Sequence, residues 1–425
     1  MHSVRSIGKY GVAIRRVLRA GALAMVCFLL ILPANALADD EPPLPPNRDE
    51  FIPVPDIGGN SDIGVELGVA GSYVRFREGH YPYLFRLDAV ASTSVKDDLR
   101  GFRPVQQYHT IRLDAPQFLS RQLRLDARVD FWRAVDATWF GVGNAAPVLP
   151  RPPPPDAASG YQYVGEHVRF SALFRVKTKT PLELALFTHA RYEFPDPYPG
   201  SKLGDDLAAG SVIGGKSSFL ETTAAGFMVD TRDNEIVPRR GIFYQAGLGG
   251  TVGTAESVRF GEASVVTMHF VSLARWLIFA NRVIASFKFG TVPFYELQQG
   301  DVFNPQYLLG GDAGVRGVRL GRFAGLVKTI ANTELRIVPI PRFHVLSWRV
   351  LAGAVVFFDA GRAWSDYGYH PDLDGRTLGL KYGGGGGLFF QWDEANLFLI
   401  EGAYSNDSSG RETPLSFYFE SLLHF

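Results

Sequence analysis

Arg316 is the residue whose neighbours are most unusual for its chemistry. It lies in the glycine-rich stretch LLGGDAGVRGVRLGRFAG, residues 308–325, between Val315 and Gly317. A guanidinium offers a rigid fork of donors that suits a carboxylate, and glycine lets a backbone pass close to its surroundings. The stretch therefore favours a cation held at a defined position over one on a floppy, solvated loop.

No arrangement of residues indicates catalysis. The nine histidines are scattered, with no His-Glu-x-x-His pair and no Gly-x-Ser-x-Gly elbow, and Cys27 is the only cysteine. GSVIGGKS, residues 210–217, matches the residue pattern of a phosphate-binding loop. Phosphate binding by such a loop needs a helix directly after it, but the strand-like SFLETTAAGFMVD follows instead. We expect no enzyme activity, no metal site and no cofactor.

The first 38 residues have the pattern of a secretory signal peptide. A positive leader with no acidic residue precedes an apolar run at 20–32, and ANALA ends at Ala38. The run is too short to span a bilayer. We expect export, with cleavage near Ala38, and Cys27 would be lost with the signal.

The composition of the remaining chain excludes several classes of protein. Removing the five leader cations from 43 leaves 38 against 43 acidic residues, a formal charge of −5, which argues against a nucleic-acid partner. After residue 38 no apolar run approaches the roughly 18 residues that a membrane helix needs. The composition and length suit a large barrel better than an ordinary soluble core.

Alternation with period two recurs along the chain and predicts β-strands. In QLRLDARVDFW, residues 122–132, apolar and polar residues occupy opposite faces. Such segments run for ten residues or more, longer than typical soluble strands, and the chain contains 32 Phe and 17 Tyr. The sequence therefore predicts an all-β protein, a transmembrane antiparallel β-barrel with apolar side chains towards lipid and charges towards the lumen.

About fifteen strands can be counted between residue 61 and the C-terminus. Because bacterial single-chain barrels normally have an even number, we predict sixteen, the hidden strand lying near residues 51–57 or within 198–216. Residues 39–60, acidic and proline-rich, are predicted to form a periplasmic leader, and residues 61–425 the barrel. Polar stretches near 149–155, 196–216, 365–375 and 405–413 are predicted to be exposed loops.

The last segment, LSFYFESLLHF, has the alternation of a final barrel strand. Phe417, Phe419, Leu423 and Phe425 share one face, and Tyr418 lies on the other. A C-terminal Phe on such a strand resembles the assembly signal of outer-membrane barrels, although Glu420 stands where that signal often has glycine.

Several motifs, in matching order, resemble the BamA/TamA superfamily of outer-membrane insertases and translocases. GGDAGVRGV is similar to the family's Val-Arg-Gly loop, and FMVDTRDNEIVPRRG, residues 227–241, to its turn, here with Asp230, Arg232, Asp233, Asn234 and Gly241. NTELR (332–336), FFDAGRAW (357–364) and WFGVGN (139–144) resemble further family segments.

This resemblance implies a specific role for the loop. It would fold inward into the lumen, where Arg316 would meet Asp359, with Glu334 as a second acidic partner. Val315, Arg316 and Gly317 would then lock the loop to the barrel. Val318 stands where the family has an aromatic residue, so packing beside the arginine is expected to differ.

The resemblance also implies a function. With about 22 residues between the signal and the barrel, the chain resembles a family member without POTRA domains. It would insert or export polypeptide at the seam between the first and last strands, within outer-membrane lipids and with a separate periplasmic protein. The alternative is a solute or lipid transport pore, or a structural barrel, without insertase activity. Client and substrate are not evident from the sequence.

Overall fold

The computed structural model describes residues 45–80, 82–235, 237–338, 343–345, 348–392, 396–407 and 415–423. The predicted signal peptide, the start of the predicted leader and Phe425 lie outside these residues.

Sixteen long antiparallel strands form one closed barrel, as the sequence predicts. In chain order they are β1 (Arg48–Asn60), β2 (Gly64–Phe76), β3 (Phe85–Asp98), β4 (Gly101–Ala115), β5 (Leu123–Thr138), β6 (Gln162–Lys177), β7 (Leu182–Glu193), β8 (Ser218–Asp230), β9 (Gly241–Gly253), β10 (Arg259–Ala274), β11 (Leu277–Thr291), β12 (Val327–Ile337), β13 (Trp348–Trp364), β14 (Lys381–Trp392), β15 (Asn396–Ser405) and β16 (Leu415–Leu423). Each strand pairs with the next, and β16 meets β1.

The strands are apolar outside and polar inside. In β5, Val129 is 49% exposed whereas its neighbour Asp130 is fully buried, and in β13 Phe358 is 55% exposed whereas Asp359 is fully buried. A soluble sheet would show the reverse. Buried charges next to exposed aromatic and aliphatic side chains are typical of a barrel whose outer face meets lipid and whose inner face lines a polar lumen.

The predicted start of the barrel is wrong. β1 covers Arg48–Asn60 and pairs with β2 along its whole length, so residues 48–60 belong to the wall and not to a leader. Pro53 and Pro55 concealed this strand because proline cannot donate to a sheet ladder and is tolerated only at an edge. This is the hidden strand, at the first of the two predicted places. The second, residues 198–216, contains helix α1 (Lys202–Ala208).

Connections alternate between the two ends of the barrel because every strand is antiparallel to its neighbours. One end, here called the loop end, carries the long connections 139–161, 194–217, 292–326 and 365–380; the other, the turn end, carries shorter ones such as 178–181 and 231–240. Two further helices, α2 (Phe294–Leu297) and α3 (Pro371–Asp374), lie at the loop end. Of the residues described, none forms a helix long and apolar enough to cross a membrane.

An apolar cluster at the loop end fixes the long connections against one another. Trp139, Leu203 and Phe294, from three different connections, are buried in it, together with Ala324 from the same connection as Phe294. Trp139 packs edge-on against Phe294 with ring centroids 5.4 Å apart. The connections therefore form a packed cap, which positions the site described next.

Candidate functional site

The connection between β11 and β12, residues 292–326, contains Arg316 and contacts several strands of the barrel. It begins with α2 and continues through a two-residue ladder, Gln299–Gly300 with Gln306–Tyr307. Gly310 and Gly317 have φ of 117° and 92°, a region that L-residues with a Cβ rarely adopt. These glycines let the chain reverse tightly on both sides of Arg316.

Asp359 on β13 holds Arg316 by three hydrogen bonds. The Nε and Nη2 atoms of Arg316 donate to the two carboxylate oxygens at 2.8 and 3.0 Å, and its backbone N–H donates at 3.1 Å. Arg316 is 5% exposed and Asp359 is fully buried. The bidentate geometry matches the fork of the guanidinium.

Two further carboxylates share the Nη1 atom of Arg316. Glu334 on β12 lies 3.0 Å away and Glu401 on β15 accepts at 3.0 and 3.2 Å. Glu334 also pairs with Arg336 at 2.8 Å. Burial works to lower the pKa of Arg316, but the hydrogen bonds to Asp359 and the negative charges of Glu334 and Glu401 outweigh it and raise that pKa well above its ordinary value. The loop cation is therefore permanently charged and surrounded by three carboxylates.

An aromatic ring does pack beside the arginine, but it comes from the barrel wall. The guanidinium carbon of Arg316 lies 3.6 Å from the ring centroid of Phe357 on β13, a cation–π contact. Val318, which stands where an aromatic residue was expected, is fully buried and packs in one cluster with Val315 and Phe323.

Glycine in β14 allows the loop to approach the wall. A Cβ at Gly383 would lie 1.8 Å from the carbonyl oxygen of Arg316, whereas at the neighbouring Gly384 the nearest atom would be 3.5 Å away. Gly383 is thus required by the backbone of the loop itself. Within the run of glycines at 383–387, Gly383 is therefore the residue that permits this close passage of the loop.

The same loop contacts both sides of the seam between β1 and β16. The N–H of Gly317 donates to the hydroxyl of Tyr418 on β16 at 2.8 Å. The N–H of Leu320 donates to Asp62, in the connection that follows β1, at 3.0 Å. Tyr418, predicted as part of the C-terminal signal, is 1% exposed. The loop therefore bridges the first and last strands at the loop end.

A second set of ion pairs fixes the start of the loop. Glu296 in α2 accepts from Lys288 on β11 at 2.5 Å and from Arg191 on β7. Burial works to raise the pKa of Glu296, but the charges of Lys288 and Arg191 outweigh it and lower that pKa below its ordinary value. Lys328 donates to the backbone oxygens of Leu297 and Gly325 at 3.0 and 2.7 Å. The loop is therefore held near both ends as well as at its tip.

The turn that resembles the family motif lies at the turn end, away from Arg316 in the fold. Asp230 accepts from the side chain of Arg232 at 2.7 and 3.0 Å, and Asp233 accepts from the backbone N–H of Arg239 at 2.9 Å. Asn234 accepts from a backbone N–H at 2.9 Å, and Gly241 has φ of 111°. These residues build the hairpin between β8 and β9. Leu423 ends β16, and Phe425 is outside the described residues.

Sequence reasoning did not identify Glu401 or Glu296. Glu401 lies on the polar face of an alternating strand, as Asp359 does, but alternation cannot tell which lumenal carboxylates reach the loop. Glu296 stands between Tyr295 and Leu297 in FYEL, and a charge within an aromatic and aliphatic segment is the signal that could have found it.

A cavity of about 980 Å³ occupies the lumen below the loop. Its lining includes Arg316, Arg282, Asp301, Glu334 and Glu401 together with charged side chains of β1 to β6. Among the described residues, no group of His, Cys, Asp and Glu could hold a metal ion. The cavity is lined by charged side chains of the wall and of the loop, together with apolar ones.

A closed sixteen-strand barrel with a lipid-type exterior and a charged lumen defines an integral outer-membrane protein. A family model described as the Omp85 superfamily domain matches residues 114–420. The chain therefore belongs to the Omp85 superfamily, which includes the BamA/TamA-type proteins that its motifs resemble.

Solved structures show the same fold at low sequence identity. BamA from Haemophilus ducreyi lacking POTRA domains 1-3 is 13% identical with a TM-score of 0.56, over 88% of this chain and 70% of that one. CdiB from Escherichia coli is 12% identical with a TM-score of 0.55, over 90% of this chain and 64% of that one. CdiB from Acinetobacter baumannii is 10% identical with a TM-score of 0.51, over 88% and 59%. The chain thus spans less than two thirds of each CdiB structure. No curated protein sequence matches it significantly.

Proposed function

We propose that this chain inserts or translocates polypeptide at the seam between β1 and β16, in concert with a separate periplasmic protein. The weakness of the seam is the observation that carries the proposal. Among the described residues, two residue pairs join β1 to β16, against thirteen between β1 and β2 and nine between β15 and β16. A closed barrel normally satisfies the hydrogen bonds of every backbone group through its ladders. A short ladder therefore marks the place where opening the wall costs the least free energy.

In this proposal the 292–326 loop folds into the lumen and acts as a lock. Val315, Arg316 and Gly317 hold its tip against Glu334 and Asp359. The hydrogen bonds of the tip to Tyr418 and, further on, to Asp62 tie it to both sides of the seam. Release of Arg316 would free the loop end of the seam, and so the ion pairs would set how readily the wall opens.

The proposal includes the route of the chain to the membrane. Residues 1–38 direct export and are cleaved near Ala38, and the final strand with Phe425 serves as the assembly signal. The turn with Asp230, Arg232, Asp233, Asn234 and Gly241 keeps the β8–β9 hairpin in register at the turn end. None of these roles requires an enzyme activity or a cofactor.

Crosslinking in cells tests the insertion proposal. A photo-reactive residue is placed at Ile57 on β1 and, separately, at Phe417 on β16, with Val265 on the far wall as the control because it is also exposed to lipid. We expect nascent outer-membrane or exported polypeptides to be captured at the seam positions and not at the control. Equal capture at all three positions, or none at the seam, would contradict the proposal.

A transport pore is the second candidate, and the charged side chains that line the cavity favour it. If the barrel conducts solutes, purified protein in planar bilayers would show steady conductance without any client. We expect the capped loop end to keep the wild-type conductance low. Large, stable conductance in the wild type, together with no captured polypeptide, would favour the pore.

A further inference from the structure

Three donor side chains lie in one row on the face of the barrel wall that lines the cavity. The register sets Arg128 on β5 opposite Ser171 on β6, and Ser171 opposite His189 on β7. Side chains that are directly opposite on one face of a sheet have Cβ atoms about 5 Å apart, so the row spans roughly 10 Å. All three residues line the cavity, and so does Arg169, two positions before Ser171 on the same face of β6.

The fold uses only part of the hydrogen-bonding capacity of these side chains. Arg169 donates from Nε to Asp130 at 2.6 Å, and neither of its Nη atoms bonds to a described residue. The Nε atom of Arg128 lies 2.9 Å from Asp130 without forming a hydrogen bond, and its Nη atoms have no partner in the described part of the chain either. His189 is 6% exposed, and its Nε2 atom is buried without a partner among the same residues. Because buried polar groups in folded proteins are normally hydrogen-bonded, these unused donors point to a ligand.

Positive charge exceeds negative charge at this place. Of the described carboxylates, only Asp130 forms an ion pair with Arg128 or Arg169, so one acidic side chain serves two guanidiniums. The register also sets Arg112 opposite Arg128 and Arg169 opposite Arg191. Like charges directly opposite one another destabilise a sheet, and a bound anion would offset that cost.

The neighbouring arginines have carboxylates of their own. Arg112 donates from Nε to both oxygens of Asp126 at 3.1 Å, and Arg191 pairs with Glu296. The unbalanced charge is therefore confined to the two arginines that share one carboxylate.

We propose that Arg128, Arg169, Ser171 and His189 form a binding site for a phosphate group. Guanidinium forks match the geometry of phosphate oxygens, a serine hydroxyl donates one hydrogen bond, and a histidine ring carries an N–H in each protonation state. A phosphate monoester offers three acceptor oxygens and about two negative charges at pH 7, so it can accept from three strands at once and balance the excess of cations. The site lies on β5, β6 and β7, whereas the carboxylates that hold Arg316 lie on β12, β13 and β15.

Isothermal titration of the purified protein with inorganic phosphate, in a phosphate-free detergent at low ionic strength, tests the proposal. We expect saturable binding by the wild type. Arg128→Gln and Arg169→Gln should each weaken binding about tenfold or more, because each removes charge-assisted hydrogen bonds. Ser171→Ala, which changes no charge, should weaken binding about fivefold and tests the site even if an arginine variant does not fold.

Arg133→Gln is the matched control. It removes the same charge from the same strand, but Arg133 does not line the cavity and its side chain is 43% exposed. Its affinity for phosphate should equal that of the wild type. Heat-modifiable migration on gels checks that each variant forms a barrel.

Two further probes distinguish the source of the phosphate group. Glycerol 3-phosphate represents a small solute, and dihexanoyl phosphatidic acid represents a lipid headgroup. Binding that is competitive with inorganic phosphate supports the site for either probe, and the tighter of the two identifies the source.

Absence of saturable phosphate binding in the wild type would overturn the proposal. So would folded arginine variants that bind as the wild type does, or an Arg133→Gln variant that loses as much affinity as Arg128→Gln. Because no polypeptide client enters the titration, failure of the insertion proposal in cells would leave this result unaffected.

Discussion

Arg316→Ala should destabilise the loop by about 3–5 kcal/mol while leaving the barrel assembled. The substitution removes the cationic partner of Asp359, which is fully buried. Of its three hydrogen bonds to residue 316, Asp359 would keep only the one from the backbone N–H. Breaking one member of a buried pair costs about 3–5 kcal/mol. The loss of Arg316 destabilises the charge of Glu334 less, since Arg336 remains beside it at 2.8 Å.

Asp359→Ala should cost less, about 1–3 kcal/mol, because Arg316 keeps its charge-assisted contacts to Glu401 and Glu334. The double variant should cost less than the sum of the single variants by at least about 1 kcal/mol. Arg240→Ala is the matched control: this arginine is 82% exposed and 3.9 Å from Asp233, so its loss should change stability by less than about 1 kcal/mol.

Urea titration of the barrel in lipid vesicles, followed by tryptophan fluorescence, gives the free energies, and limited proteolysis reports protection of the 292–326 loop. Heat-modifiable migration on gels checks that each variant still forms a barrel. Additive single effects, or a loop cleaved as fast in the wild type as in Arg316→Ala, would refute the argument that these ion pairs hold the loop.

Three further predictions concern the loop and its surroundings. Gly383→Ala should loosen the loop and increase its cleavage by protease, because its Cβ would lie 1.8 Å from a loop carbonyl oxygen, whereas Gly384→Ala, with 3.5 Å to the nearest atom, should not. Glu296→Gln removes the charge that α2 presents to two buried cations, so single-channel recordings should show more frequent openings than in the wild type; the exposed Glu78→Gln should match the wild type. Burial raises the pKa of Asp301 to about 7, so the fold holds a proton there that the unfolded chain releases: stability from this group is full at acidic pH and is lost as pH rises from about 4 to 7. Asp301→Asn should flatten that part of the stability–pH profile, and an unchanged profile would show that Asp301 does not titrate there.

Local sequence was sufficient for the class of fold and for part of the site. Period-two alternation is a property of neighbouring residues, so the inward and outward faces of strands such as β5 and β13 were predictable. Glycines beside Arg316 indicated a constrained loop, and the family motifs supplied Asp359 and Glu334 as its partners. Both lie within 4 Å of the arginine, as the resemblance implied.

The features that the sequence did not predict have a common cause: they depend on contacts between segments that are distant in the chain. β1 looked like a proline-rich leader because its prolines forbid a central strand, and only its place at the seam makes them acceptable. Glu401 is 85 residues from Arg316 and Glu296 is 105 residues from Arg191. No local pattern reports such contacts.

The sequence by itself predicted export, a mature chain without cysteine, and the alternation of a membrane barrel. It also indicated that Arg316 is held in place by its loop. Each of these inferences depends on composition or on residues a few positions apart. Tertiary structure alone decided which carboxylates surround Arg316, that the loop spans both sides of the seam, and that the seam pairs over only part of its length. The reason is that register and closure set these relations: they depend on how sixteen strands align around the barrel, and a shift of one residue would turn every side chain of a strand to the opposite face.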